Sequence, residues 1–354
     1  MIIHIFNNTN HKFSEPFFDF IGKHFDGKDH VFLILGDYSI QDYKKRENLI
    51  VLNSKSKFYK YYCFFRLVNK ADKIFIHQLF FSRRLLLFYS LNPKLLKKSY
   101  WVIWGGDLYY YKFRDKSFKS YIYELIRRKV IKNIGHIVAL VEGDYELAKK
   151  WYKTQAVYHE AFYPNTIIFE NIDKTNNSIK NNKKIIQIGN SADPRNRHIE
   201  ILDKLLRFGE NDIEIVAPLS YGDRDWAKKV IENGKRLYGD KFRPLERNLP
   251  LEEYQKFLDS VDVAIFNHDR QQALGNILAL LHLGKKVFIK NDITTWDFLN
   301  KKGLTLYNTY DIDKLSFEEF VFMDESLKEK NKKIIEKEFS EEKCVELWKN
   351  IFNS

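Results

Sequence analysis

The residues best suited to chemistry stand just after short apolar runs. The run Val261–Phe266 ends in Asn267-His268-Asp269-Arg270-Gln271-Gln272, and Gly275 follows shortly after. A helical pattern begins there, over Gln271–Leu283, with Gly284 just past its end. A guanidinium and two amides at a helix N-terminus form an anion-binding constellation. The helix end carries partial positive charge, and arginine can grip a diphosphate through two parallel N–H donors. Gly275, lacking a Cβ, permits close backbone approach. A second run, Lys184–Gly189, leads into Asn190-Ser191-Ala192-Asp193. Small residues there let the backbone N–H groups of Gly189, Asn190 and Ser191 approach a phosphate. The same residues also suit a plain turn, with Asp193 as a helix cap and Pro194 in the first helical turn.

A third segment is Trp101-Val102-Ile103-Trp104-Gly105-Gly106-Asp107-Leu108-Tyr109. Two glycines and a carboxylate after an apolar strand predict a tight turn that presents Asp107 to a ligand, as a general base or as a partner for a sugar hydroxyl. His11, in the loop after the first strand, is the second choice of base. His4 lies inside that strand and suits a core, while His77 and Gln78 end another strand. The acidic pairs Asp223/Asp225 and Asp311/Asp313 follow no core strand, so no metal is expected at them. Cys63 and Cys344 lack metal-ligand spacing and point to a reducing compartment. No Walker loop, Gly-x-Ser-x-Gly elbow or His-Glu-x-x-His helix is present.

These loops need a scaffold of alternating strands and helices. Strands are expected at Ile2–Phe6, Val31–Gly36, Leu49–Leu52, Lys73–His77, Tyr100–Trp104 and His136–Val141. Helical patterns run near Pro16–His24, Lys57–Val68, Ser82–Ser90, Ser117–Ile131 and Asp144–Tyr152. A polar stretch, Asn171–Asn182, reads as a linker or exposed loop. The alternation then restarts, with strands at Lys184–Gly189, Ile213–Ala217, Val261–Phe266, Lys286–Ile289 and Leu304–Tyr307. Helices fit Arg195–Phe208, Arg224–Tyr238, Leu251–Ser260, Gln271–Leu283 and Thr294–Asn300. Such alternation implies parallel sheets covered on both faces. The expected organisation is two doubly wound, Rossmann-like α/β domains, over 1–165 and 183–335, facing each other across a cleft. A C-terminal helix within 336–354 would pack back toward the first domain. In such sheets ligands bind beyond the carboxyl ends of strands.

The charge is uneven. The 354 residues carry a net +12, yet residues 1–165 hold 28 Lys+Arg against 15 Asp+Glu. The excess belongs to the first half. Its densest part interleaves base with aromatics: Tyr109, Tyr110, Tyr111, Lys112, Phe113, Arg114, Lys116, Phe118, Lys119 and Tyr121. That suits a polyanion, either nucleic acid or an anionic membrane interface. No apolar run approaches the ~20 residues of a spanning helix, and Met1–Phe6 lacks the flanks of a secretory signal. None of the common nucleic-acid-binding signatures occurs, so nucleic acid is not expected as a partner.

Taken together, the motifs resemble one family. Trp101–Tyr109 resembles the W-x-I-W-G-x-D-L-Y segment of the TDP-N-acetylfucosamine:lipid II N-acetylfucosaminyltransferases, glycosyltransferase family 56. Ile188–Ile199 is similar to the family's VGNSGDxSNxHI, Val216–Tyr221 to its VVPMGY, and Arg270–Gly275 to its RQQGIG. Order and spacing agree from His4 to about Tyr307. Ala273 stands where the family shows glycine, and Asn267-His268-Asp269 replaces a more apolar approach to the arginine.

The resemblance implies a GT-B fold and metal-independent transfer, with no cofactor. The donor would be a nucleoside-diphosphate sugar, TDP-N-acetylfucosamine by resemblance, and the acceptor a polyprenyl-diphosphate-linked saccharide. The protein would lie in the cytoplasm, peripheral on the inner face of the cytoplasmic membrane. Gly189, Asn190, Ser191, Tyr221, Arg270, Gln271, Gln272 and Gly275 would hold the donor. Trp104, Gly105, Gly106, Lys112, Arg114, Lys116 and Lys119 would face acceptor and membrane, with Asp107 or His11 catalytic. The alternatives are another GT-B-like enzyme of surface-polysaccharide assembly, such as a pyruvyl transferase, and a basic nucleic-acid-binding protein.

Overall fold

Strands that are buried on both faces read as continuous apolar runs, and here they assemble into two all-parallel sheets. The computed structural model describes residues 1–7, 11–35, 43–52, 57–164 and 183–354, the side chains of 11–13 and 57–58 excepted. The chain divides into two compact units. One is Met1–Thr166 together with Glu341–Ser354, and the other is Ile167–Ser340. The expected linker at 171–182 lies outside the described residues.

The first unit contains β1 (Ile2–Phe6), β2 (His30–Leu35), β3 (Leu49–Leu52), β4 (Lys73–His77), β5 (Ser99–Val102), β6 (His136–Val138) and β7 (Val157–His159). Their spatial order is β3-β2-β1-β4-β5-β6-β7. The helices are α1 (His11–His24), α2 (Lys57–Lys70), α3 (Arg83–Ser90), α4 (Pro93–Lys97), α5 (Gly106–Phe113), α6 (Phe118–Asn133) and α7 (Glu142–Tyr152).

Alternation of side chains along each strand gives the sheet two unlike faces. Ile3, Ile5, Ile74, Ile76 and Trp101 join Phe64, Val68, Leu86 and Val130 in one core. The opposite face presents His4, Phe6, Phe75 and His77, against which Phe17 of α1 packs. The final helix, Glu341–Asn353, covers that same face. Its Trp348 ring lies 5.1 Å from Phe17 and donates Nε1–H to the Phe162 carbonyl at 2.8 Å. Lys73 Nζ meets the carbonyls of Ile351 and Phe352 at 3.0 and 2.8 Å, satisfying groups that every helix end leaves open.

The second unit contains β8 (Lys184–Ile188), β9 (Ile213–Pro218), β10 (Phe242–Leu245), β11 (Val263–Phe266), β12 (Lys286–Ile289) and β13 (Tyr307–Asn308), in the order β10-β9-β8-β11-β12-β13. Its helices are α8 (His198–Leu205), α9 (Arg224–Tyr238), α10 (Leu251–Ser260), α11 (Leu274–His282), α12 (Thr294–Lys301), α13 (Phe317–Val321) and α14 (Glu325–Glu338), and α15 is the final helix of the first unit. Both sheets reverse their strand order once near the middle, between β1 and β4 and between β8 and β11. Those reversals are where open α/β sheets bind ligands.

The structure differs from the sequence reading at several places. Strand β10 is not among the expected strands; it contains Pro244, which lacks an N–H, and an edge strand tolerates that. Strand β7 is another short edge. The segment expected to be a tight turn at Gly105–Asp107 instead starts helix α5, with Gly105 at φ +81° as its cap. Helix α14 and the start of α15 also move the end of the second unit from 335 to Ser340.

Candidate active site

At the reversal in the second sheet, two loops leave adjacent strands side by side. The loop after β8 turns at Gly189, whose φ is +64°. A Cβ there would stand 2.6 Å from His198 Nε2 and 2.9 Å from Asn196 Oδ1, so only glycine fits. Buried Asn196 holds the loop from inside. Its Oδ1 accepts the Asn190 N–H at 3.2 Å, and its Nδ2 donates to the Ser191 carbonyl at 3.1 Å.

The loop after β11 is tied to the first. The Asp269 N–H donates to the Arg195 carbonyl at 3.2 Å, and its carboxylate bridges Arg197 Nε at 2.7 Å and buried Lys290 Nζ at 3.0 Å. Arg270 Nη2 lies 3.3 Å from Asp193 Oδ2, and its Nη1 donates to the Gln271 carbonyl at 2.9 Å. Gln272 Nε2 donates to Asn190 Oδ1 at 3.3 Å, and Asn190 Nδ2 donates to the Tyr221 hydroxyl at 3.0 Å. Residues from three separate motifs thus form one hydrogen-bonded set. Gly275 lies in the first turn of α11, which has no side-chain cap.

Around this set, several buried polar atoms find no hydrogen-bond partner among the described residues. They are both ring nitrogens of His268, Asn267 Nδ2, Gln187 Oε1, Gln272 Oε1 and His198 Nε2. Leaving a buried polar atom unsatisfied costs about 1–3 kcal/mol. Burial holds His268 far below the usual imidazole range and pushes His198 down to about 4, so both rings are neutral. His198 Nδ1 accepts the Trp226 indole N–H at 3.2 Å, which puts its own proton on Nε2, beside Gly189. The site therefore offers donors and acceptors together with a guanidinium and a helix N-terminus. That is the equipment for a polar anionic ligand.

Ala273 caps α11 with φ +58°, a left-handed backbone that costs an L side chain about 1–2 kcal/mol. Part of that returns as entropy when glycine replaces it, so Ala273→Gly should raise stability by about 0.5–1 kcal/mol. An unchanged or lower urea midpoint would show that the Ala273 methyl packs well enough to offset the strain.

The first unit corrects the sequence reading at Asp107. Its side chain is 0% exposed. Oδ2 accepts the Leu79 N–H at 2.9 Å and the Trp101 indole N–H at 2.5 Å, and Oδ1 accepts the Trp104 N–H at 3.0 Å. A carboxylate so enclosed faces no ligand; the start of helix α5 turned it inward. His11 opens α1, and its side chain lies outside those described. Gly105 and Gly106 start α5, while Lys112, Lys116 and Lys119 are exposed at and after its end. Half-buried Arg114 donates to the Tyr111 carbonyl. Trp104 donates Nε1–H to the Tyr163 hydroxyl at 2.8 Å. Of the acidic pairs, Asp223 caps α9 and Asp313 pairs with Lys204.

Sequence reading passed over Gln187 and gave no role of their own to His198 and His268. The available signal was a polar residue at an inward position of an otherwise apolar strand or helix.

The chain is similar throughout its length to solved structures. It matches Anabaena Alr3699/HepE in complex with UDP-glucose at a TM-score of 0.70 and 9% identity, over 100% of this chain and 99% of that one. It matches a glycosyltransferase from Rickettsia africae at 0.66 and 15%, over 99% and 97%. WaaG, a glycosyltransferase involved in lipopolysaccharide biosynthesis, matches at 0.62 and 11%, over 99% and 98%. These likenesses establish the fold, which is GT-B. A family model described as 4-alpha-L-fucosyltransferase, glycosyl transferase group 56, matches residues 6–353.

Proposed function

Because the chain belongs to the group 56 glycosyltransferases and is therefore a sugar-transferring enzyme, we propose that its donor is a nucleoside-diphosphate sugar held at the carboxyl edge of the second sheet. The observation that carries this reading is the joined set Asn190–Tyr221–Gln272 with Arg270, ringed by unsatisfied buried atoms. Breaking the bond from the anomeric carbon to phosphate leaves its electron pair on the diphosphate. Arg270 and the α11 N-terminus stabilise that growing charge, in the manner of an oxyanion hole. By resemblance the sugar is N-acetylfucosamine on TDP, and the acceptor is a saccharide on a polyprenyl diphosphate. Thermal unfolding with TDP, UDP and GDP in turn tests the donor. A nucleotide at 100 times its Kd adds about 2.7 kcal/mol of stability. No stabilisation by any of the three would refute this reading.

The acceptor would be taken from a membrane surface by the first unit. No helix among the described residues is long and apolar enough to cross a membrane. Tyr59 and Tyr62 of α2, Leu87 of α3, and Phe118, Tyr121 and Leu125 of α6 are nevertheless exposed, and Lys112, Lys116 and Lys119 lie nearby in sequence. Each cation near an anionic leaflet contributes about 1 kcal/mol. Changing Lys112, Arg114, Lys116 and Lys119 to Glu should abolish sedimentation with anionic vesicles while leaving nucleotide affinity intact. Equal sedimentation with anionic and neutral lipid would remove the electrostatic argument.

A further inference from the structure

The cations of the second unit's site already hold anions of their own. Arg195 and Arg197 stand on the segment after β8, Arg270 on the loop after β11 and Lys290 just after β12, and two carboxylates are shared among them. Asp269 is gripped tightly: its Oδ1 meets Arg197 Nε at 2.7 Å and Lys290 Nζ at 3.0 Å. Asp193 is held loosely. Its Oδ2 reaches Arg270 Nη2 and Arg195 Nη1, both at 3.3 Å, beyond the ~2.7–2.9 Å of a good charge-assisted hydrogen bond. One oxygen is thus divided between two guanidiniums, each a planar fork of donors that a single atom does not match.

The main chain around Asp193 is fixed. The Asn196 N–H and Nδ2 donate to the Asp193 carbonyl at 2.9 and 3.1 Å. On the preceding residue, the Ala192 N–H donates to the Tyr221 carbonyl at 2.8 Å, and the Ala192 carbonyl accepts the Asp223 N–H at 2.9 Å. A Cβ on Gly222 would stand 2.8 Å from the Ala192 carbonyl carbon, so the two loops touch main chain to main chain. Only rotation about side-chain bonds can therefore move the Asp193 carboxylate. The Asp193 and Arg270 side chains are 17% and 15% exposed, so neither is sealed from a ligand. The charge of Asp193 also reaches Tyr221 and His198. Burial pushes the Tyr221 hydroxyl up, with Asp193 adding to it, and pushes the His198 ring down to about 4, with Asp193 opposing. The carboxylate lies among the very groups that would take a diphosphate.

We propose that Asp193 occupies the diphosphate subsite of the free protein and that the donor displaces it, so that Arg195 joins Arg270 on the phosphates. This rests on the donor reading above. A diphosphate beside an unmoved Asp193 would set like charges against each other at close range, where partial burial weakens screening. Its oxygens are spread over two phosphorus centres, so they match two guanidiniums where one carboxylate oxygen does not. Rotation of the side chain carries the Asp193 carboxylate toward solvent, and the ligand replaces both of its long ion pairs. The arrangement also selects by charge. A ligand with one negative charge gains little from Arg270 that Asp193 does not already supply, whereas a diphosphate gains a second guanidinium.

Asp193→Asn isolates the charge. Asp193 Oδ1 caps the short turn Pro194–Asn196 by accepting the Arg195 N–H at 3.0 Å, and asparagine caps as well as aspartate does. Calorimetric titration with TDP, UDP and GDP should show the tightest of the three binding about 10- to 100-fold more tightly to Asp193→Asn than to the native chain, as one like charge is lifted at close range. Adding Arg195→Ala to Asp193→Asn should then weaken the same nucleotide about 10-fold or more. Asp193→Ser, which caps through its hydroxyl, gives the same comparison if Asp193→Asn folds poorly. Native or weaker affinity in the charge-free variant overturns the displacement and makes Asp193 a residue that orients Arg270 for the ligand. Unchanged affinity on adding Arg195→Ala overturns the role of Arg195. If neither the native chain nor the variant binds any of the three nucleotides, the donor reading itself falls; a native chain that binds, with a variant that binds no more tightly, removes the displacement alone.

Discussion

Arg270→Ala should weaken nucleoside-diphosphate binding by about 1.5–3 kcal/mol, the worth of hydrogen bonds to a charged group, or roughly 10- to 150-fold in Kd. Turnover should fall further, by about 100- to 1000-fold, because negative charge on the leaving phosphate grows as the glycosidic bond breaks. The fold should survive. Asp193, the partner of Arg270 Nη2, keeps Arg195 Nη1 at 3.3 Å and the Arg195 N–H at 3.0 Å, so it is not left alone. Arg270→Lys should fall between, since an ammonium keeps the charge and loses the planar fork. Calorimetric titration with nucleotide checks the first figure and steady-state transfer the second. Unchanged affinity in Arg270→Ala would move the phosphates elsewhere, leaving the unsatisfied atoms around His268 without an occupant.

Asp107→Ala should lower stability by about 4–6 kcal/mol. The substitution strips partners from two buried donors, on Leu79 and Trp101, and from the half-buried Trp104 N–H, each buried one worth about 1–3 kcal/mol when left unmet. It also removes a negative charge near Arg127. That fully buried guanidinium bonds the Asp107 and Leu79 carbonyls and the Tyr152 hydroxyl, and lies 3.3 Å from Glu124. Asp107→Asn should cost less, because one oxygen still accepts while the new amide opposes an N–H. Urea unfolding measures both. An Asp107→Ala protein as stable as the parent, yet 100-fold slower in turnover, would restore the carboxylate to the chemistry.

The contrast between these two residues shows what the sequence carried. Arg270 was legible because its cues are local. An apolar strand, a polar loop and a helix start lie within a few residues of one another, and chain connectivity alone puts the guanidinium at a helix N-terminus. The two α/β halves were legible for the same reason, since strand runs and helical periodicity are short-range patterns.

Asp107 carries equally local cues and was misread. Whether a carboxylate after a strand looks outward or inward depends on where α5 starts and on donors as distant as Leu79. His4, His30 and His77 are a stronger case. Nothing within reach of any one of them in sequence announces the others, and only the pairing of β1 with both β2 and β4 sets the three rings at hydrogen-bonding distance. The sequence by itself determined most of the elements and the loops that leave them, though not the short edge strands β7 and β10 or the start of α5. The tertiary structure decided which polar side chains are spent on one another and which stay unsatisfied, because that depends on register between strands far apart in the chain.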